Sequence, residues 1–194
     1  MLLIMNIRLL FVMLCFISSF AHAARGSLTM GLVRIEPVIS AEREQRFYPT
    51  EHTQDSLLYG GRLLIGPQSL KLESEYLIGH DSESFPDENL KVKTDTERMK
   101  IGLRSGFSLG KFFSWFLRGG MQGKSSKTKT VHTDDDTTEN KSSAFYADPY
   151  LGTGFRFHLL QNLSTAGDIT AIFSDRPNKG DRDYQASLGF SISI

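Results

Sequence analysis

The chain has 194 residues, 22 Lys and Arg balanced by 22 Asp and Glu, 40% hydrophobic residues and one cysteine, Cys15. Charge balance supplies no global field to draw in nucleic acid, and a lone cysteine excludes an internal disulfide and a cysteine-paired metal site. The length fits one domain.

Residues 1–23 carry Arg8 near the start, then an apolar stretch over 9–17, then Ala21, His22 and Ala23. A cationic start, a short apolar run and an A-x-A site are the parts of a secretory signal, so cleavage after Ala23 is expected. The run is short of the ~20 residues a spanning helix needs. Leu14 stands before Cys15 where a lipidation site has a small residue, which argues against a lipoprotein. Cleavage leaves residues 24–194 as one nearly neutral, cysteine-free domain. No later segment approaches transmembrane-helix length, since the apolar cluster 112–117 is broken by Ser114 and followed by Arg118.

Period-2 alternation, the mark of a strand with two unlike faces, recurs eight times. Strand one spans 27–40, where Leu28, Met30 and Leu32 give way to Val33, Ile35 and Ile39, a phase slip that suits a bulge. Strand two, 56–65, sets Leu57, Tyr59, Leu63 and Ile65 against Leu58, Gly60, Arg62 and Leu64. Strand three sets Leu70, Leu72, Tyr76 and Ile78 against Lys71, Glu73, Glu75 and Leu77; strand four sets Met99, Ile101 and Leu103 against Arg98, Lys100, Gly102 and Arg104. In strand five Phe113, Trp115, Leu117 and Met121 oppose Ser114, Phe116, Arg118, Gly120 and Gln122. Strand six, 146–157, places Ala147, Leu151, Thr153, Phe155 and Phe157 opposite Tyr146, Asp148, Tyr150, Gly152, Gly154 and Arg156, and its Pro149 predicts a bulge or break. Strand seven sets Leu163, Thr165, Ile169, Ala171 and Phe173 against Ser164, Ala166, Asp168 and Thr170. Strand eight is the terminal segment 184–194, which alternates through Tyr184, Ala186, Leu188, Phe190, Ile192 and Ile194.

Connections at 66–69, 105–112 and 159–162 are short, whereas those at 41–55, 80–94, 123–143 and 175–183 are mostly longer and hydrophilic. This alternation predicts an all-β, eight-stranded antiparallel up-and-down transmembrane β-barrel with long loops outside and short turns in the periplasm. Aromatics gather at strand ends, with Phe112, Phe113, Trp115, Phe155 and Phe157 toward the short turns and Tyr59, Tyr76, Phe145, Phe173 and Tyr184 toward the long loops. Two interfacial girdles are the expected meaning. A soluble barrel alternates too, with apolar side chains inward. The glycine-rich face of mixed charge favours the membrane barrel, because a narrow polar lumen needs its charges paired.

Segments such as Tyr150, Leu151, Gly152, Thr153, Gly154 and Phe155, and the terminal Leu188, Gly189 and Phe190, give the chain a resemblance to the eight-stranded outer-membrane β-barrels, the group of the OmpA transmembrane domain and OmpX. The resemblance covers everything after Ala23 and implies residence in a Gram-negative outer membrane. It further implies contact with outer-membrane lipid and lipopolysaccharide, and a terminal strand read by the barrel-assembly machinery through Tyr184, Leu188, Phe190, Ile192 and Ile194. Members usually end in an aromatic residue; this chain ends in Ile194, four residues after Phe190.

Candidate sites are few. Arg62, Lys71, Glu73, Glu75, Arg98, Lys100, Arg104, Arg118, Asp148, Arg156 and Asp168 share the inward face. They make either an ion pathway or a network that plugs the lumen, and eight strands leave room only for side chains, which favours the plug. The 123–143 connection holds Lys124, Lys127, Lys129, His132, Asp134, Asp135, Asp136 and Glu139; its Ser and Thr content predicts a mobile loop rather than a cation site. Two groupings hint at a nucleophile with a base, His80 beside Asp81 and Ser82, and His132 near Glu139. Neither forms a lipase or deacylase motif, and no phosphate loop, metal site or dinucleotide fingerprint is present. The expectation is a non-enzymatic barrel without cofactor, structural or acting at the surface, with a host or surface ligand met through the long loops. The alternatives are an enzyme that modifies lipid A and a soluble periplasmic barrel that carries an apolar ligand.

Overall fold

A computed structural model describes residues 33–46, 51–67, 69–86, 89–132, 137–143, 145–160, 163–174 and 182–193. The expected signal (1–23), the start of the first strand (27–32), the acidic run 134–136 and Ile194 lie outside these residues. Among the described residues nine strands form: β1 (Val33–Arg46), β2 (His52–Ile65), β3 (Leu70–Phe85), β4 (Leu90–Ser108), β5 (Phe113–His132), β6 (Thr138–Ser142), β7 (Tyr146–His158), β8 (Leu163–Phe173) and β9 (Arg182–Ser193). Eight of them close into an antiparallel ring in which β4 pairs β5, β5 pairs β7, and β9 returns to β1. The ninth, β6, lies on the edge of β5 above β7, with Lys127 opposite Ser142 and Val131 opposite Thr138.

Alternation decides which face is inside. Leu57 (63% exposed), Leu151 (60%) and Ile169 (63%) stand on the outer surface, while Glu73, Lys100 and Leu77 in the same sheet have no exposed area. Apolar outside and charged inside is the reverse of a soluble barrel, and it rules out the apolar-ligand carrier. Both aromatic groups face outward: Tyr59, Tyr76, Phe173 and Tyr184 at one end, Phe112, Phe155 and Phe157 at the other. At the short-turn end Phe113 stacks on Phe155 at 5.1 Å between ring centroids, and Trp115 stacks on Phe107 at 5.4 Å. Trp115 Nε1 also donates to Thr153 Oγ1 at 2.7 Å, which fixes the indole.

Glycine is needed where strands must come close or turn sharply. Gly102 faces inward opposite Gly120, and a Cβ there would collide with the Tyr150 hydroxyl, so the pair makes room for that ring in the lumen. Gly66, with φ of 131°, makes the turn out of β2.

The structure differs from the sequence expectation in the long connections and at Pro149. The connections 41–55, 80–94 and 123–143 are largely strand: β1 and β2 remain paired out to Arg46 and His52, β3 and β4 out to Phe85 and Leu90, and β4 and β5 out to Leu90 and His132. β4 and β5 are therefore 19 and 20 residues long against 11 for β8, and a sheet of β3, β4, β5 and β6 projects beyond the barrel on one side. Its reach past Gly123 is roughly 30 Å of strand. From Val33 onward β1 pairs with β2 without a bulge, and the residues on the other side of the phase slip lie outside those described. β7 runs unbroken through Pro149, because pairing with β8 ends one residue short of it, at Tyr150 and Ile172, where the missing N–H costs no ladder bond on that side.

Candidate functional site: the charged lumen and the projecting sheet

The inward face of each strand delivers its polar side chains to the lumen. Arg62, Lys71, Glu73, Glu75, Arg98, Lys100, Arg104, Arg118, Asp148, Arg156 and Asp168 are all buried there. Strand register arranges the charges, since Glu36 stands opposite Arg62, Arg62 opposite Glu75, and Glu75 opposite Lys100, so opposite signs alternate across four neighbouring strands.

Glu75 is the hub of the middle layer. Arg62 Nε donates to its Oε2 at 2.5 Å, Lys100 Nζ to its Oε1 at 2.8 Å, and Arg118 Nη2 to its Oε2 at 3.2 Å. Arg118 also reaches Glu73 Oε1 at 2.5 Å and Asp168 Oδ1 at 2.8 Å, and Arg62 Nη1 lies 3.0 Å from Asp168 Oδ2. Each of these ions loses water on burial, and the loss is offset only because every carboxylate meets more than one cation. Lys100 additionally contacts Gln185 on β9, tying the hub across the lumen. Tyr150 lies beneath this layer, with the Arg118 guanidinium 5.3 Å and the Lys100 ammonium 5.7 Å from its ring centre.

A second layer lies toward the projecting sheet. Arg98 Nε donates to Glu42 Oε2 at 2.9 Å, and Lys124 Nζ donates to both oxygens of Glu44 at 2.6 Å. Glu42, Glu44 and Lys124 are absent from the expected inward set because their segments read as loop. Glu36, which meets Arg62 Nη1 at 3.3 Å and also contacts Arg156, was legible from the phase of Val33, Ile35 and Ile39. Above the lumen, on the outer rim, Arg43 and Asp55 pair at 2.7 Å, and this hydrogen bond holds the Asp55 carboxyl below its ordinary range.

The loop groupings do not assemble as expected. His80 and Ser82 share the outer face of β3, while Asp81 belongs to the opposite face; the acid that meets His80 is Asp95 on β4, with Oδ1 2.6 Å from Nδ1. That pair lines an outer cavity of about 330 Å³ together with Tyr76, Glu97, Ser125 and Lys127. Glu139 stands opposite Thr130, not His132, in the β5–β6 register. His52 Nε2 lies 3.4 Å from Glu83 and its ring meets Phe85 edge-on at 5.3 Å, a packing role; His158 shares a 2.9 Å hydrogen bond with Ser114. Among the described residues no cluster of His, Cys, Asp or Glu could hold a metal ion. Of the expected terminal signal, Tyr184, Leu188 and Phe190 lie exposed on the outer face of β9, Ile192 is in the strand, and Ile194 lies outside the described residues.

On the projecting sheet the outward positions of β4 and β5 include Lys91 and Lys93, then Lys127 and Lys129, all exposed, with Asp95 opposite Lys127. Lys93 and Lys129 are direct partners in the ladder. Like charges directly opposite repel, so the sheet holds this face at a cost that an anion would relieve.

No protein-family model and no curated protein matches the chain. Solved structures do. Ail, the attachment invasion locus protein of Yersinia pestis, superposes with a TM-score of 0.56 at 11% identity, over 86% of this chain and 100% of Ail. Neisserial surface protein A gives 0.58 at 8% identity over 84% and 97%, and the N-terminal β-barrel domain of Pseudomonas aeruginosa OprF gives 0.54 at 14% over 85% and 100%. At these identities the likeness shows the fold: a closed eight-stranded barrel of the outer-membrane type.

Proposed function

We propose that the protein is an integral outer-membrane barrel whose lumen is plugged by its own charge network and whose activity is at the surface, where the projecting sheet presents lysines to polyanions. The observation that carries this reading is the exposed face of Lys91, Lys93, Lys127 and Lys129, with two of the four held in direct opposition. Lipopolysaccharide phosphates are the polyanion nearest such a sheet, and an acidic glycan on another surface has the same chemistry. Ail, which has this fold, has been solved with the heparin analogue sucrose octasulfate, and that supports the reading by analogy. The purified chain is expected to be retained on immobilised heparin and on lipopolysaccharide vesicles and released by salt, because exposed charges are screened within about 8 Å at physiological ionic strength. Changing all four lysines to Gln should abolish retention. Unaltered retention of the quadruple variant would refute the surface role and leave the barrel standing.

Membrane orientation has its own check. A cysteine in place of Glu51 or Lys141 should react with an impermeant maleimide on intact cells, while one in place of Lys111 should react only after lysis. The opposite pattern would invert the barrel.

A second reading is favoured by one pairing, His80 with Asp95 beside the outer cavity. A histidine oriented by a carboxylate is a candidate general base, and a hydrolase acting on lipid A would place it on this outer face. General bases contribute a factor of about 10² to 10⁴, so such an activity would be conspicuous. We expect the lipid A mass spectrum of an overexpressing strain to match that of the parent. Loss of an acyl chain in that strain, abolished by His80→Ala, would establish the enzyme instead.

A further inference from the structure

The short-turn mouth of the barrel opens on a cavity of about 30 Å³ lined by Arg34, Lys71, Arg104, Ser114, Arg156 and His158. Among the described residues its lining includes no carboxylate. Strand register sharpens the imbalance: Arg104 on β4 has Lys71 directly opposite on β3 and Arg118 directly opposite on β5, so three cations stand in one row. Arg118 is neutralised from the middle layer by Glu73, Glu75 and Asp168. Among the described residues Lys71 pairs with no carboxylate; its ammonium donates to the backbone carbonyl of Gly66 at 3.0 Å.

The buried guanidiniums at this mouth have donors to spare. Arg104 is 3% exposed and donates through Nε to Glu73 Oε2 at 2.7 Å, yet Nη1 and Nη2 make no hydrogen bond, and Nη1 stands 3.6 Å from Glu36 Oε2. Arg156 is 5% exposed and contacts Glu36 through Nη2, while its Nε is unpartnered. The ring of Phe116 lies 4.1 Å from the Arg104 guanidinium carbon and covers its face, and Nη1 and Nη2 are themselves buried. Buried charged donors without an acceptor are costly, and a planar guanidinium edge matches the oxygens of a phosphate or carboxylate.

We propose that this mouth is an oxyanion-binding site that takes a phosphate group, with Arg104, Arg156 and Lys71 as its donors and Arg34 and His158 at its rim. The cavity has room for the few oxygens of one such group at an open entrance. The phosphate has two possible sources, a free ion and the headgroup of a lipid in the adjoining leaflet. This inference is independent of the lysine face on the projecting sheet, which lies at the opposite end of the strands.

The test uses the full chain folded in maltoside micelles, with heat-modified migration confirming that each variant is folded. Inorganic phosphate and short-chain phosphatidylglycerol are titrated separately by calorimetry. Wild type is expected to bind at least one probe, and Lys71→Gln and Arg104→Gln are each expected to weaken it about tenfold or more, as loss of a charge-assisted donor requires. Arg182→Gln, an exposed cation at the far end of β9, should bind as wild type does. Binding of phosphate alone identifies the free ion as the source, and preference for phosphatidylglycerol identifies the lipid. Failure of wild type to bind either probe overturns the site, as does equal binding by the folded Lys71→Gln and Arg104→Gln variants.

Discussion

Glu75→Leu is expected to destabilise the barrel by about 3–5 kcal/mol, read as the urea midpoint for unfolding from lipid vesicles. The substitution removes the carboxylate on which Arg62, Lys100 and Arg118 converge, and among the described residues no other acid pairs with all three. Arg62 would then keep Glu36 and Asp168, Arg118 would keep Glu73 and Asp168, and Lys100 would be left to the amide oxygen of Gln185. Removing an exposed acid gives the contrast. Glu97→Leu, on the outer face of β4, should stay within about 0.5 kcal/mol of wild type, because a solvated charge gives up little. Similar losses at both positions would mean that the lumen is wet and that its ion pairs do not hold the barrel together.

The second large effect is on the lipid face. Leu188 lies midway along β9, opposite Ile39 of β1 and Gly167 of β8, with its side chain 54% exposed on the outer surface. Leu188→Arg should cost about 2–4 kcal/mol in the same folding measurement, whereas Tyr184→Arg, two periods of the alternation nearer the interface, should cost about 0–1 kcal/mol. Depth is the variable that separates the two sites, since both face outward from one strand. Equal costs would contradict a bilayer around this band.

Much of this was legible in the sequence where a strand has lipid on one side and lumen on the other, because the pleat then forces strict alternation. Leu70, Leu72, Tyr76 and Ile78 against Lys71, Glu73, Glu75 and Leu77 fixed both the face and the inward charges of β3. Alternation of apolar and polar residues lost its force beyond the membrane, where both faces are wet. The projecting sheet therefore reads as loop, although a weaker signal is present. Lys91, Lys93 and Asp95 alternate with Val92, Thr94 and Thr96, and Lys127 and Lys129 with Thr128 and Thr130; the structure exposes the first of each set and buries Val92, Thr94, Thr96 and Thr130. Alternation of charge with β-branched residues marks a solvated strand as alternation of Leu with Ser marks a membrane one. Pairings between strands were not legible. Nothing in the order of residues sets Glu44 against Lys124 or Asp95 against His80; those contacts come from register, which hairpin geometry and barrel closure decide together.

Fractionation of cells expressing the full chain, followed by gel migration of boiled and unboiled samples, tests the membrane barrel most directly. An integral barrel sediments with the outer membrane, resists extraction by salt or alkaline carbonate, and runs faster unboiled because the closed sheet survives in dodecyl sulfate. Recovery in the soluble periplasmic fraction, with one migration position before and after boiling, would contradict it.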